Sequence, residues 1–258
     1  MKKSLAVLAV LVLVAGLSTS AFAERWGKPG ANLEKGQWSL GLEYNYVETE
    51  IDLRVPQGVV PQLGEEQAVL NQVLVRVGYG LTDKVEAFIK MGGTSTDVSD
   101  AFLDPAFNFN QDLEGNLEFT IAGGLKATLY EKDNLRVGAQ GQFVYFETDD
   151  TADGPGFMQA IDADIWEFEG ALLVSYDLGK VTPYAGLCMQ IHDSDVRYRA
   201  FNAAGGPVAL LDIDTEQEDW LGVVAGVNCE VMDNVRVGIE ATYVSEGLGL
   251  SVGVNCAL

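Results

Sequence analysis

Few residues of the chain have the types and spacing of a catalytic site. The single histidine, His192, is followed by Asp-Ser-Asp at 193–195, and any histidine-based activation of a nucleophile would have to use it. Residues 249–253, Gly-Leu-Ser-Val-Gly, match the G-x-S-x-G pattern, but that motif needs a strand-to-helix turn and a later histidine. We therefore predict that the chain is not an enzyme, with a hydrolase site beside His192 as the remote alternative.

The sequence contains no complete metal-binding or disulfide motif. The three cysteines are Cys188, Cys229 and Cys256. They are far apart and form no CxxC pair, so they define neither a disulfide framework nor a zinc site. Asp149, Asp150 and Asp153 supply the oxygen ligands that hard cations prefer, but their stretch matches no EF-hand. We predict no cofactor, and these three aspartates are the candidate metal ligands to test.

The chain is strongly acidic and begins with a secretory signal. Its 258 residues include 38 Asp and Glu against 16 Lys and Arg, a net charge of −22, which argues against nucleic-acid binding because a phosphate backbone needs a basic surface. Lys2 and Lys3 precede an apolar run over 5–17, and Ala-Phe-Ala at 21–23 is a cleavage site. These features predict a signal peptide over 1–23. No later apolar run approaches the about 20 residues of a transmembrane helix.

Most of the remaining chain alternates apolar and polar residues with a period of two, which is typical of β-strands with one apolar face. We predict ten strands, at 38–46, 68–79, 85–93, 117–129, 135–146, 165–176, 181–192, 220–231, 235–244 and 248–258. Short turns at 81–84, 131–134, 177–180 and 232–235 alternate with longer polar loops near 53–67, 94–116, 148–164 and 193–219. This order predicts antiparallel strands, with both termini on the short-turn side.

One face of every predicted strand carries no charge, and its aromatic residues fall mostly at the strand ends. They are Trp38, Tyr44, Tyr46, Tyr79, Phe119, Tyr145, Trp166, Tyr176 and Tyr243. Two aromatic bands that flank an apolar belt are typical of a transmembrane β-barrel, whereas a soluble β-sandwich would hold aromatic residues centrally in its core. The fold class we predict is all-β: a single antiparallel transmembrane β-barrel of about ten strands.

The opposite face carries the charges that would line the barrel interior. They are Glu43, Arg76, Glu86, Lys90, Glu118, Lys126, Arg136, Glu167, Glu169, Glu230, Arg236 and Glu240. Seven acids and five bases either form an ion-pair network that plugs a narrow barrel, since buried charges require partners, or line a cation-preferring passage. Small barrels usually fill their interiors with side chains, which favours the plug, but both interpretations stay open.

The signal peptide, the alternating strands and turn phrases such as residues 79–86, Tyr-Gly-Leu-Thr-Asp-Lys-Val-Glu, resemble small bacterial outer-membrane β-barrel proteins, the broad OmpA/OmpX-like superfamily. The resemblance covers residues 37–258. It implies the fold, a location in the outer membrane of a Gram-negative envelope and the barrel-assembly machinery as a partner. The chain ends Asn-Cys-Ala-Leu, without the terminal aromatic residue that many members carry.

The predicted organisation is a signal peptide over 1–23, a short periplasmic tail over 24–36 and an outer-membrane barrel over 37–258. Two functions follow as hypotheses. The first is a passive barrel, either a narrow porin-like pore for ions and small solutes or a plugged structural cylinder. The second is a surface-binding, adhesin-like barrel whose acidic extracellular loops contact divalent cations or lipopolysaccharide. The expected partners are outer-membrane lipid or lipopolysaccharide, the assembly machinery and small ions or solutes, but no nucleic acid.

Overall fold

The computed structural model describes residues 27–52, 65–99, 113–154, 157–202, 207–216, 221–244 and 247–258; the predicted signal peptide lies outside these ranges. In the described part no helix is long and apolar enough to cross a membrane. Its strands are β1 (Trp38–Asp52), β2 (Glu65–Thr82), β3 (Val85–Ser99), β4 (Leu113–Glu114), β5 (Glu118–Lys132), β6 (Leu135–Gly154), β7 (Phe157–Tyr176), β8 (Val181–Asn202), β9 (Pro207–Glu216), β10 (Leu221–Met232), β11 (Val235–Val244) and β12 (Gly247–Ala257).

Ten of these strands close into an antiparallel barrel. Within the described residues, β4 pairs only with β3 and β9 pairs only with the last part of β8, so both are accessory to the ring. The ring closes where β1 pairs with β12, from Ser39–Ala257 to Glu48–Leu248, and β8 pairs directly with β10. A sheet in hydrocarbon needs such closure because an open edge would leave backbone groups unpaired. The predicted barrel of about ten antiparallel strands is confirmed.

The turns that join β2 to β3, β5 to β6, β7 to β8 and β10 to β11 lie at one end of the barrel together with both described termini, and we name this the short-turn end. Asp133 and Gly179 adopt positive φ angles of 53° and 90° there, a conformation that Asp, Asn and Gly adopt more readily than other residues. The Leu258 N–H donates to the Trp38 carbonyl at 2.9 Å, so the last residue is tied to the first strand. The opposite end is named the outer end.

Two segments predicted as loops are instead extensions of strands. The segment 148–164 belongs to β6 and β7, which stay paired up to Gly154–Phe157, and much of 193–219 belongs to β8 and β9. The loop prediction is wrong here because it rests on polar composition, and a strand pair solvated on both faces is polar as well. A membrane-spanning strand needs about 9–11 residues. With 20, 20 and 22 residues, β6, β7 and β8 extend beyond the membrane at the outer end.

The outward face of the barrel is an exposed apolar belt. Val75, Ile89, Leu125, Leu172 and Ile239, on five different strands, are 44–56% exposed. A continuous apolar surface of this kind would associate in water, whereas a bilayer covers it. The belt and the closed sheet together place the barrel in a membrane, and the predicted transmembrane β-barrel is confirmed.

The inward face is packed as well as polar. One apolar cluster joins four strands through Ala171, Leu173, Tyr184, Cys188, Val224 and Val244. A second consists of Ala122, Val144 and Phe146 on β5 and β6, and Leu70 of β2 packs against it. Because β2 is not a strand neighbour of β5 or β6, Leu70 makes this contact through the interior. These apolar side chains therefore fill part of the barrel cross-section.

Residues 27–36, which we name the plug segment, fold back into the short-turn end of the barrel. Three of its backbone N–H groups donate to inward side chains: Gly27 to Glu240 at 3.1 Å, Ala31 to Thr128 at 3.1 Å and Asn32 to Glu86 at 2.9 Å. The barrel wall can approach the plug segment closely because it carries a glycine there. A Cβ at Gly138 would lie 2.2 Å from the Gly30 nitrogen. The described part of the predicted periplasmic tail thus lies within the barrel mouth.

A charge on the apolar belt tests this placement. Leu125 is 52% exposed in the middle of β5, so we expect Leu125→Arg to lower the free energy of unfolding in lipid vesicles by about 2–4 kcal/mol. Leu178→Arg, at an exposed turn position, is the matched control and should change it by about 0.5 kcal/mol or less. Equal effects of the two variants in urea titrations of reconstituted barrels would contradict the membrane placement.

Candidate functional site: the barrel interior and its two ends

Four of the predicted interior charges meet in one buried network. Arg76 on β2 forms an ion pair with Glu86 on β3, and its Nε lies 3.8 Å from Glu43 on β1. The Lys90 ammonium lies 2.7 Å from Glu43. The Arg76 guanidinium and the Lys90 ammonium lie 4.7 and 5.3 Å from the ring centre of Phe88, whose face attracts cations. The network joins two acids to two bases and holds β1, β2 and β3 together.

Three further buried glutamates accept hydrogen bonds from uncharged donors. Glu169 accepts from the Gln142 amide, and Glu167 accepts from Gln190 Nε2 at 3.1 Å. Glu240 accepts from the Tyr184 hydroxyl at 2.8 Å, in addition to the plug segment. The Tyr184–Glu240 bond joins β8 to β11 past the intervening β10. Interior polar groups therefore connect strands that the sheet itself does not pair.

The interior bases are segregated toward one end. All five lie in the short-turn half of their strands: Arg76, Lys90, Lys126, Arg136 and Arg236. The guanidinium groups of Arg136 and Arg236 reach the plug segment, where they donate to the carbonyls of Ala31 at 3.4 Å and Asn32 at 3.5 Å. Glu230 is the strand partner of Arg236. The plug segment thus contacts side chains of both signs, since its backbone N–H groups donate to Glu240 and Glu86.

Lys28 adds a further cation to this end. Its ammonium lies 3.9 Å from the Asp177 carboxylate, which is half-exposed. Burial lowers the pKa of Lys28, and the positive charges of Arg136 and Arg236 lower it further, while Asp177 and Glu230 act in the opposite direction. The plug segment therefore carries its own positive charge close to the two arginines of the wall.

Glu118 lies apart from this network, at a cavity of about 430 Å³ at the outer end. The cavity is lined by Glu118, Glu147, Thr148, Asp149, Asp162, Ala163, Asp164, Arg197 and Arg199. Arg197 donates to Asp164 at 3.0 Å and Arg199 forms an ion pair with Asp162. The interior therefore has a charge gradient, with bases at the short-turn end and an excess of acids at the outer end.

The candidate metal ligands are not brought together as a described site. Asp149 lines the outer cavity, but the side chains of Asp150 and Asp153 lie outside what the structure describes. Within the residues described, no group of three or more His, Cys, Asp or Glu is arranged to hold a metal ion. The segment itself is paired strand, with Asp149 opposite Asp162.

The structure describes the G-x-S-x-G match in full but only the backbone of His192. Ser251 of the G-x-S-x-G match lies inside β12, 2% exposed, opposite Asn45 and Glu240, so it does not occupy a strand-to-helix turn. The backbone of His192 pairs with Glu167 in β8, but the His192 side chain lies outside the described residues. That the chain is not an enzyme stays a prediction. None of the three cysteines, all of which are described, forms a disulfide.

The predicted aromatic residues form contacts at both ends of the barrel. Trp38 and Tyr79 lie 4.7 Å apart at the short-turn end, and Tyr145 and Trp166 lie 4.3 Å apart toward the outer end. Exposed outward positions are Trp38, Phe119, Trp166, Tyr176 and Tyr243, and half-buried ones are Tyr44, Tyr46, Tyr79 and Tyr145. Aromatic rings of this kind suit the membrane–water interface.

Two features of the interior were not predicted from the sequence. The first is its apolar filling, Leu74, Phe88, Phe146, Leu173 and Val224. These residues have the same parity as the interior charges, so the alternation itself contained the signal. The second is the plug segment, whose only local signal is the Gly-Lys-Pro-Gly turn at 27–30.

The chain is similar to several solved structures. The chain is 11% identical to the translocator domain of the autotransporter NalP from Neisseria meningitidis, with a TM-score of 0.51 over 87% of this chain and 89% of that one. It is 8% identical to the outer membrane protease OmpT from Escherichia coli (TM-score 0.48, 86% and 96%). An outer membrane channel from Pseudomonas putida F1 is 14% identical (TM-score 0.44, 90% and 98%).

At these identities the likeness concerns the fold alone. No protein-family model matches the chain, and the search of the curated proteins found no match. The narrower resemblance to the OmpA/OmpX-like superfamily stays a prediction.

Breaking the buried network tests whether its charges depend on one another. We expect Arg76→Met to lower the free energy of unfolding by about 3–5 kcal/mol, because it removes the ion-pair partner of the buried Glu86. Adding Glu86→Gln to Arg76→Met should recover part of this loss. Arg197→Met, which removes an exposed ion pair with Asp164, should cost about 1 kcal/mol or less. Equal costs for the two arginines in urea titrations would contradict the network.

Proposed function

We propose that this chain is a closed outer-membrane barrel, a plugged cylinder that blocks free diffusion instead of an open pore. One observation supports it above all others: each of the ten barrel strands contributes an inward side chain that is at most 3% exposed. These residues are Asn45, Leu74, Lys90, Thr120, Phe146, Glu169, Cys188, Val224, Glu240 and Ser251. Side chains that line a water-filled pore remain in contact with water, whereas these ten do not.

The interior charges support the same proposal. A cation passage past Arg76 and Lys90 would have to separate them from Glu86 and Glu43, and breaking buried ion pairs is costly. The plug segment also obstructs the short-turn end, where the Gly27 N–H donates a hydrogen bond to Glu240. Two successive obstacles therefore stand between the two sides of the membrane.

Conductance tests the closed barrel. The mature chain refolded into a planar bilayer, under a salt gradient, should give no steady conductance steps because the interior holds no continuous water path. Steady cation-selective steps whose selectivity falls in Glu167→Gln and Glu169→Gln variants would contradict closure and support the narrow pore instead.

Thiol labelling of the same reconstituted barrel shows whether an absence of conductance results from a closed interior. In a variant with Cys188 as its only thiol, a water-soluble maleimide should react only after unfolding, because Cys188 is 2% exposed inside the barrel. A single thiol introduced by Lys180→Cys, at an exposed turn position, is the control and should react at once. Rapid labelling of Cys188 in the folded barrel would overturn the proposal.

A second candidate function, surface binding, is favoured by the outer end. There β6, β7 and β8 continue beyond the length that crosses a membrane, and β9 pairs with the continuation of β8. This extension carries most of the acidic cavity, including Asp162 and Asp164 and the two arginines that pair with them. Its chemistry suits cations or the phosphate groups of lipopolysaccharide, bound through acids or through Arg197 and Arg199.

Trimming the extension tests this second function. Val196 and Ile213 are strand partners, so an Asn-Gly turn can replace residues 197–212 and close a short hairpin. The full chain in nanodiscs should bind lipopolysaccharide vesicles in the presence of Ca²⁺ and leave phosphatidylcholine vesicles unbound. The trimmed chain should lose this binding while it retains a compact, folded barrel. Undiminished binding after trimming, or no binding by the full chain, would rule this function out.

A further inference from the structure

A second cavity, of about 230 Å³, lies between the plug segment and the barrel wall at the short-turn end. Asn32 lines it from the plug segment, Ser39 lines it from β1 and Asn228 lines it from β10. Two other lining residues, Glu34 and Asp233, are exposed, so a solute can enter from the short-turn side without crossing the barrel. The volume is several times the about 30 Å³ of a water molecule in the liquid, which leaves room for a molecule with several polar groups.

The charged residues that line this cavity balance one another. Its four acids and four bases are Glu34, Glu43, Glu86 and Asp233, and Lys28, Arg76, Lys126 and Arg236. Arg76 is paired with Glu86, and Lys28 lies 3.9 Å from Asp177. A charged solute would have to compete with such pairs, and breaking a buried ion pair is costly. The cavity therefore favours neither an anion nor a cation.

Three uncharged groups of the lining have no hydrogen-bond partner among the described residues. They are Ser39 Oγ, Asn228 Nδ2 and Asn32 Oδ1. Ser39 is 2% exposed and Asn228 is 4% exposed. Because buried polar groups in folded proteins are nearly always hydrogen-bonded, these three indicate a neutral solute that supplies the bonds.

The three groups differ in the hydrogen bonds that they can make. An amide nitrogen only donates, an amide oxygen only accepts, and a serine hydroxyl does both. The Asn32 Nδ2 donates to the Lys28 carbonyl at 3.3 Å, which leaves Oδ1 as the acceptor that faces the cavity. A carboxylate or a phosphate offers acceptors to the amide nitrogen but no donor to this oxygen, and an ammonium group has the opposite defect. A hydroxyl both donates and accepts, so neighbouring hydroxyls on one molecule match all three groups.

We propose that this pocket binds a small neutral polyhydroxyl molecule, a polyol or a monosaccharide, through Asn228 Nδ2, Ser39 Oγ and Asn32 Oδ1. Asn32 belongs to the plug segment and the other two residues belong to the wall, so the bound molecule bridges the plug segment and the barrel. Binding requires no passage through the barrel. The proposal therefore goes beyond the closed barrel and is independent of whether the barrel conducts.

Titration of the refolded mature chain in nanodiscs, with isotope-labelled asparagine and followed by NMR, tests the site. Erythritol and D-glucose are the probes, and at least one of them should give saturable shifts of the side-chain amide signals of Asn228 and Asn32. Asn134, at an exposed turn, is the internal control, and its signal should not follow the same saturation curve.

Substitution of the lining tests which groups bind the probe. Asn228→Leu, of similar size, and Ser39→Ala should each weaken the affinity measured at Asn32 about two- to tenfold, the effect of losing one hydrogen bond between neutral groups. Asn134→Leu is the matched control and should leave the affinity unchanged.

A pair of glycine variants tests the position of the site. A Cβ at Gly78 would lie 2.5 Å from Ser39 Oγ, whereas a Cβ at Gly141 has no contact closer than 3.8 Å. Gly78→Ala should therefore obstruct the cavity beside Ser39 and weaken binding, and Gly141→Ala should retain it in an equally folded barrel. Shifts that rise without saturation in the wild-type chain, or equal affinity in wild type and Asn228→Leu, would overturn the proposal.

Discussion

The structure depends on one constraint: hydrocarbon offers no hydrogen-bond partner to a backbone N–H or C=O, so a sheet in the membrane must close on itself. The pairing of β1 with β12 supplies this closure. Ten strands enclose an interior narrow enough for side chains to fill. Since the outward face is apolar, the polar residues of the spanning strands point inward, where each charge needs a partner.

That requirement explains why the interior is organised by charge. Arg76 pairs with Glu86 and Lys90 pairs with Glu43 near the short-turn end. Glu167 and Glu169 accept hydrogen bonds from glutamine amides. Apolar side chains such as Phe146 and Leu173 fill the space between these groups. The interior is therefore a protein core in which charged side chains have partners.

The strand period of two was sufficient to predict faces, because neighbours such as Leu125 and Lys126 must point to opposite sides. It could not predict that Arg76 meets Glu86, since Arg76 is the strand partner of Lys90 and reaches Glu86 diagonally on the neighbouring strand. The full length of β6 and β8 escaped prediction because a strand solvated on both faces has the composition of a loop. The position of the plug segment could not be predicted because the hydrogen bond that anchors it, from Gly27 to Glu240, joins residues 213 positions apart.

Water-edited solid-state NMR of the barrel in lipid bilayers tests the central claim, that the interior is a closed core, most directly. The account predicts rapid magnetisation transfer from water to the outer-cavity residues Asp149 and Asp164. It predicts transfer as slow as that of the lipid-facing belt for Phe146, Leu173 and Glu169, which are at most 1% exposed. Rapid transfer to these three residues would show a hydrated interior and contradict the closed core.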